Sequence, residues 1–285
     1  MSDGTKIAWT ETTHNIVTGC TRISDGCLRC YIERTPPFRM NGRKFDSPDV
    51  GGTTGVTLHP DRLATPLSWR KPRRVFVCSL ADLFHADVPD EFIARWWAVM
   101  ALTPRHTYQI LTKRHARLRS LLSDPEFYGL VDTLVGGIAH DNDLPCPDET
   151  PWPLPNVWVG VSAESQKWAD IRVPDLLGVD AAVRWVSIEP MLGSVQLRSL
   201  PFPRWSMKDP GDMRGIGWVV VGSESGPGAR PLDIAWVEAL VADCQGLGVP
   251  VFVKQLPTGP RKKATQDIST FPEHLRVREY PEVTR

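Results

Sequence analysis

The chain has 285 residues, of which 41% are hydrophobic and 23% charged, and its formal net charge is zero. That length and apolar fraction suffice for one large core, while electroneutrality excludes a generic polyanion binder, so any nucleic-acid surface must be local. The first residues show no basic stretch leading into an apolar segment, and nowhere do eighteen apolar residues run together. Export and membrane spanning are therefore not expected, and the protein reads as cytoplasmic. Six cysteines are too few for a disulfide scaffold, and three of them fall within eleven positions, which in a reducing compartment points to metal.

In chain order, short apolar runs rich in β-branched residues predict strands at 14–17, 55–58, 74–78, 107–111, 157–161, 183–188, 218–221 and 249–253. Helical periodicity is clearest at 90–102, 113–122, 166–177 and 233–246, so strands and helices alternate and the strands should be parallel. Runs such as VRWVSI and GWVVV are almost continuously apolar, as expected when both faces of a parallel sheet are covered. The expected fold class is α/β, a (β/α) barrel of the TIM type, closed by all eight strands or partial with six because the first two runs are weak. Pro-rich stretches at 144–155 and 200–211 read as long loops, so a crossover helix is expected to be missing. Residues 1–256 form one barrel domain in this reading, and 257–285 a C-terminal extension.

The segment CTRISDGCLRCY places Cys20, Cys27 and Cys30 in C-x6-C-x2-C spacing just after the first predicted strand. A loop there can fold three thiolates around one centre. Three thiolates suit a [4Fe–4S] cluster in which one iron stays free for another ligand, and S-adenosylmethionine (SAM) is such a ligand. The same cysteines with His14 or a distant side chain also suit a structural Cys3His zinc site. Position at the C-terminal end of a barrel strand, where barrel active sites sit, favours catalysis.

Several strands end in polar residues that should converge on one rim: Ser79 and Asp82, Thr112 and Lys113, Ser162 and Glu164, Ser187 and Glu189, Ser223 and Glu224, Lys254 and Gln255. Tyr31, Ser79, Ser162, Glu164, Glu189, Ser223 and Glu224 are candidate cofactor contacts, with Glu164 and Ser162 first for a ribose diol. Asp82, His85, Lys113, Arg114 and Lys254 are candidate substrate contacts; Asp82 equally well caps the next turn. Lys254, on an apolar strand, needs a carboxylate such as Glu189 or Glu224. Lys113 and Arg114 with Arg70, Lys71, Arg73 and Arg74 make a basic zone suited to phosphates, or else ordinary solvated charge. Residues 62–119 carry eleven basic against four acidic side chains, and residues 120–175 two against ten. Trp69 beside that zone is a candidate for base stacking. Cys78 reads as a core residue, with a hydrogen-donor role as the alternative.

The segments KIAWTETTHNIVTGCTRISDGCLRCY, TLHPDRL, PRRVFVCSLADLFH, YQILTKR, PNVWVGVSAES, RWVSIEPMLG, VVVGSESGPGARP and VPVFVKQ together resemble an uncharacterised phage-associated family with a three-cysteine motif, whose members look like radical-SAM proteins. The resemblance implies a barrel, a [4Fe–4S] cluster, SAM and an external electron donor, but no particular substrate. Radical-SAM proteins usually space their cysteines C-x3-C-x2-C with an aromatic residue before the last; here the first gap is six, Arg29 stands in the aromatic place and Tyr31 follows Cys30. The usual glycine-rich stretch after the second strand is replaced by TLHPDRL. The expected function is thus a radical-SAM enzyme acting on a nucleic acid or nucleotide. The alternatives are a metal-dependent hydrolase using Asp82, Glu164, Glu189 and Glu224 beside a structural zinc, and a zinc-stabilised nucleic-acid adaptor.

Overall fold

A computed structural model describes residues 5–199, 215–259 and 264–282; the Pro-rich stretch read over 200–211 lies outside the described residues. Its main sheet has eight strands in unbroken chain order. They are β1 (Thr12–His14), β4 (Arg74–Val77), β5 (Thr107–Thr112), β6 (Val157–Ser162), β7 (Val183–Ile188), β8 (Trp218–Gly222), β9 (Val251–Pro257) and β10 (Ala264–Thr265). The first seven run parallel, and β10 pairs antiparallel on the outer edge of β9. The sheet curls into a half-barrel whose two edge strands, β1 and β10, are not joined.

The eight-strand closure does not form; the barrel is partial, as in the alternative, with seven parallel strands instead of six, and the first two predicted runs explain why. The run at 14–17 splits: His14 ends β1, while β2 (Val17–Thr18) leaves the sheet and pairs antiparallel with β3 (Thr57–Leu58). Asn15 marks the departure, its side-chain oxygen accepting from the Leu80 amide at 2.9 Å and from the Ser79 hydroxyl at 3.2 Å in place of a strand partner.

Four helices match the predicted ones closely: α2 (Asp90–Ala101), α3 (His115–Leu122), α5 (Gln166–Leu177) and α6 (Ile234–Gly246). A short α1 (Pro36–Met40) lies in the β1–β4 connection, and the 17-residue α4 (Pro125–Asp141) was not expected. The β5–β6 crossover therefore holds two helices rather than lacking one. Gly129, Gly136 and Gly137 weaken the helical propensity of α4, yet its start is well marked: Asp124 caps it by accepting from the Glu126 amide at 2.9 Å, and Pro125 sits at the first helical position. Its apolar stripe of Phe127, Val131 and Val135 is buried, and the helix packs on α2. No helix among the described residues is long and apolar enough to cross a membrane.

Strand periodicity of two divides the interior into levels. Val75, Val77, Val219, Val221, Val251 and Val253 belong to the core shared with the helices. The alternate positions Phe76, Trp158, Trp185, Trp218 and Phe252 fill the concave side together with Trp9. The Trp9 ring lies 4.7 Å from Phe76 and 5.2 Å from Trp185, edge-on in each case, so one indole reaches across the concavity from β4 to β7. Going up the inward face, Trp158 is followed by Gly160 and Ser162, and Trp185 by Ser187 and then Glu189. The aromatic residues thus plug the lower half and leave a polar upper end. The C-terminal segment seals the bottom: Tyr280 stacks on Trp218 at 5.5 Å, and the Trp218 indole donates to the Glu279 carbonyl at 2.9 Å.

Candidate functional site

Above the aromatic plug, at the carboxyl ends of the parallel strands, lies a cavity of about 400 Å3. That falls within the roughly 300–1,000 Å3 usual for small-molecule and cofactor sites. Cys20, Cys27 and Cys30 all reach it, as do Tyr31, Ser79, Asp82, Lys113, Arg114, Ser162, Glu189, Ser223, Glu224 and Lys254. His85 and Glu164 lie behind the wall.

The cysteine loop is tied down from below. Ser24 donates its hydroxyl to Glu164 Oε1 at 2.6 Å. Glu164 is fully buried, and its other oxygen receives Arg172 Nη1 at 2.9 Å, while Lys113 Nζ stands 3.5 Å from Oε1. Burial opposes the carboxylate charge, but Lys113, Arg172 and the Ser24 hydroxyl hold it below its ordinary range. Gly26 fits because a Cβ there would come within 2.2 Å of Glu164 Oε1. Both Glu164 oxygens are therefore occupied under the cysteine loop, and its work in this structure is to anchor that loop rather than to offer a free carboxylate to a ribose.

Asp82 is equally committed. One oxygen accepts from Thr112 Oγ1 at 2.7 Å and from the Phe84 amide at 3.0 Å, which is the turn-capping alternative. The other accepts from the Lys113 amide at 3.0 Å and pairs with Arg114 Nη1 at 3.2 Å. The same Arg114 nitrogen lies 3.7 Å from Cys20 Sγ. Burial, aided by Asp82, pushes the Cys20 thiol up to about 12 against the pull of Arg114. Burial also raises Cys30, opposed by the Ile32 amide, Lys113 and Arg22. His85 is buried; its Nδ1 accepts from the Asp87 amide at 3.1 Å, so Nε2 carries the proton and donates to Thr21 Oγ1 at 2.9 Å. That bond props Thr21, the residue after Cys20, and leaves His85 no face toward the cavity.

The opposite wall comes from β7, β8 and β9. Lys254 Nζ stands 3.0 Å from Glu189 Oε1, an ion pair on the floor of the cavity, and Trp9 Nε1 donates to Glu189 Oε2 at 3.4 Å. Glu224 is held by Arg230 through its amide at 2.9 Å and its Nε at 3.1 Å, and Arg230 also donates to the Asp25 carbonyl at 2.9 Å, tying this wall to the cysteine loop. Ser223 Oγ is buried and has no hydrogen-bond partner among the described residues, leaving a polar group to meet a ligand.

Three further sequence expectations need correction. Arg70, Lys71, Arg73 and Arg74 precede or begin β4, at the end opposite the cavity; Arg74 pairs with Glu11 at 3.8 Å and lies over the Tyr280 ring. Trp69 is buried against His14 and His106, so it is core and stacks no base. His14 does not join the cysteines: its Nε2 meets the Arg62 carbonyl at 2.9 Å and its ring stacks on Trp96. Cys78 is 3% exposed at the end of β4, though it reaches the cavity wall.

Ser24, Arg172 and Arg230 escaped the sequence reading, whereas Trp9 reads from its setting as core, which it is, without its bond to Glu189. Arg172 had a legible sign: it shares a helical face with Ala169, Val173 and Leu176, so it is a charge on a buried stripe. Nothing local marked Arg230, which matters only through contacts that folding creates.

Fold and site define an open parallel α/β half-barrel with a cysteine-lined cavity at its carboxyl end. The chain belongs to the family described as protein of unknown function (DUF5131), whose model matches residues 4–278. No curated protein and no solved structure matches the chain.

Proposed function

We propose that the protein is a radical-SAM enzyme in which Cys20, Cys27 and Cys30 hold a [4Fe–4S] cluster and SAM occupies the adjoining cavity. The observation that carries this reading is the arrival of three thiols from one loop on the wall of a single cavity, at the barrel end where active sites form.

The donor set is all thiol: His14, the fourth ligand that a Cys3His zinc site would need nearby, is engaged with the Arg62 carbonyl and Trp96. Three thiols with no imidazole beside them on the described cavity wall suit an iron–sulfur cluster with one iron left open. The hydrolase alternative loses its ligands, since Asp82, Glu164, Glu189 and Glu224 each have a cationic partner of their own. When bound, the cluster and SAM together supply a 5′-deoxyadenosyl radical that abstracts hydrogen from the substrate.

This chain's residues prepare that chemistry. Arg114, 3.7 Å from Cys20 Sγ, and Lys113 stand where they would offset the charge of thiolates holding a cluster. The aromatic plug closes the cavity from beneath, and Ser223, Glu189 and Lys254 offer polar contacts across from the thiols. An external electron donor and a nucleotide or nucleic-acid substrate complete the proposal. Arg70–Arg74 lend nothing to the substrate class.

Anaerobic reconstitution with iron and sulfide, followed by EPR of the dithionite-reduced protein with and without SAM, tests it. The expected result is a cubane signal that changes on adding SAM and is lost in Cys27→Ala. Stoichiometric zinc with no reconstitutable cluster would refute it.

A further inference from the structure

A second cleft of about 300 Å3 lies on the outer side of Cys30, lined by Arg29, Cys30, Glu33, Arg34, Pro227 and Gly228. Its two guanidinium groups are held against the glycine-rich turn after β8. Arg34 Nη2 donates to the Ser225 carbonyl at 3.3 Å, and its guanidinium packs so closely on Gly226 that a Cβ there would lie 2.9 Å away. Arg29 Nη1 would lie 3.6 Å from a Cβ on Gly228. Both glycines have positive φ, 98° and 71°, a turn conformation other residues adopt at a cost.

The electrostatics of the cleft differ from those of the main cavity. There, Lys113, Arg114 and Lys254 each have a carboxylate partner, and so do Arg172 and Arg230, which stand outside the cavity lining. In the cleft, neither Arg29 nor Arg34 pairs with a carboxylate among the described residues. Glu33 also lines the cleft, but its carboxylate is engaged, one oxygen accepting from the Phe45 amide at 2.7 Å and the other 3.9 Å from Arg22. One exposed arginine is ordinarily solvated charge. Two aimed into one concavity, beside a turn with exposed backbone, leave a local positive potential that an anion would neutralise.

We propose that this cleft binds a phosphate group carried by the substrate. The guanidinium fork matches phosphate oxygens in pairs, and a phosphate with three terminal oxygens accepts from two forks at once. Cys30 lines both the cleft and the main cavity, so a phosphate anchored outside Cys30 leaves the rest of a small molecule free to extend over the rim toward the thiols. Its meaning as a substrate subsite rests on the radical-SAM reading, whereas phosphate binding does not.

The test is calorimetric titration of the metal-free protein with inorganic phosphate at low ionic strength, comparing wild type, the double variant Arg29→Gln/Arg34→Gln, and Arg39→Gln as an exposed control outside the cleft. The double variant should bind phosphate at least tenfold more weakly, Arg39→Gln should match wild type, and acetate should bind more weakly than phosphate. Absence of saturable binding by wild type, equal affinity in the double variant, or acetate binding as tightly as phosphate overturns the proposal. Reconstitution separates the two readings: Cys27→Ala should lose the cluster signal and keep its phosphate affinity. Arginine-dependent phosphate binding in a chain that never yields a cluster would sustain the cleft and defeat only the radical-SAM reading.

Discussion

Glu164→Gln removes one negative charge from the fully buried centre beneath the cysteine loop while nearly preserving its shape. In wild type the carboxylate balances Arg172, itself fully buried, at 2.9 Å and Lys113 at 3.5 Å, and accepts the Ser24 hydroxyl at 2.6 Å. Removing one partner of a buried ion pair costs about 3–5 kcal/mol, because the other charge stays buried without compensation. Glutamine keeps one acceptor oxygen, which places the loss near the lower end, about 3 kcal/mol. With a urea slope of about 2–3 kcal/mol per molar, the unfolding midpoint of the metal-free protein should fall by about 1–1.5 M. The pH dependence supplies an independent check. In the folded chain Lys113, Arg172 and the Ser24 hydroxyl outweigh burial and hold Glu164 below the ordinary 4.5. Its charge therefore stabilises the fold fully above the unfolded value, and that contribution fades as pH falls from there through the lower folded value. The gap between wild type and variant should be widest at neutral pH and shrink below about pH 4.5. A midpoint shift under about 0.3 M, or a gap unchanged at pH 3, would refute the assignment of Glu164 as the charge that holds this centre together.

Lys254→Met leaves Glu189 without its cation on the cavity floor; both side chains are partly exposed, at 18% and 11%, so a loss of about 2 kcal/mol in urea unfolding is expected, and no loss would show the pair to be incidental. Gly160→Ala places a Cβ 2.6 Å from the Trp185 indole, and overpacking of this kind should cost about 1–3 kcal/mol by the same measurement. Iodoacetamide labelling of the metal-free protein at pH 8, read by peptide mapping, should modify exposed Cys146 first. Burial pushes Cys78 and Cys244 up to about 12, leaving a thiolate fraction on the order of one in ten thousand. Labelling of either at the rate of Cys146 would contradict the burial described.

The sequence by itself determined what local pattern encodes. Continuous apolar runs at β4 to β9 and the 3.6-residue period of α2, α3, α5 and α6 made a parallel α/β sheet legible, because strand and helix period depend only on neighbouring residues. The three cysteines were legible for the same reason: one loop carries them all. Polar residues ending each strand pointed to a shared rim, and Ser79, Ser162, Glu189, Ser223 and Lys254 do meet around one cavity. Tertiary structure alone decided that the sheet stays open, because whether residues 55–58 join the sheet or pair with Val17 and Thr18 is a choice between distant partners. It also decided what each charge does. Glu164 read as a ribose contact and Asp82 as a substrate contact or a turn cap, but Arg172 and Arg114 reach them across the fold. Likewise Arg70–Arg74 looked near the mouth until β4 set its direction and carried them to the far end. A charge is read from one position, but its partner depends on where the chain returns, and that is fixed only when the core is packed.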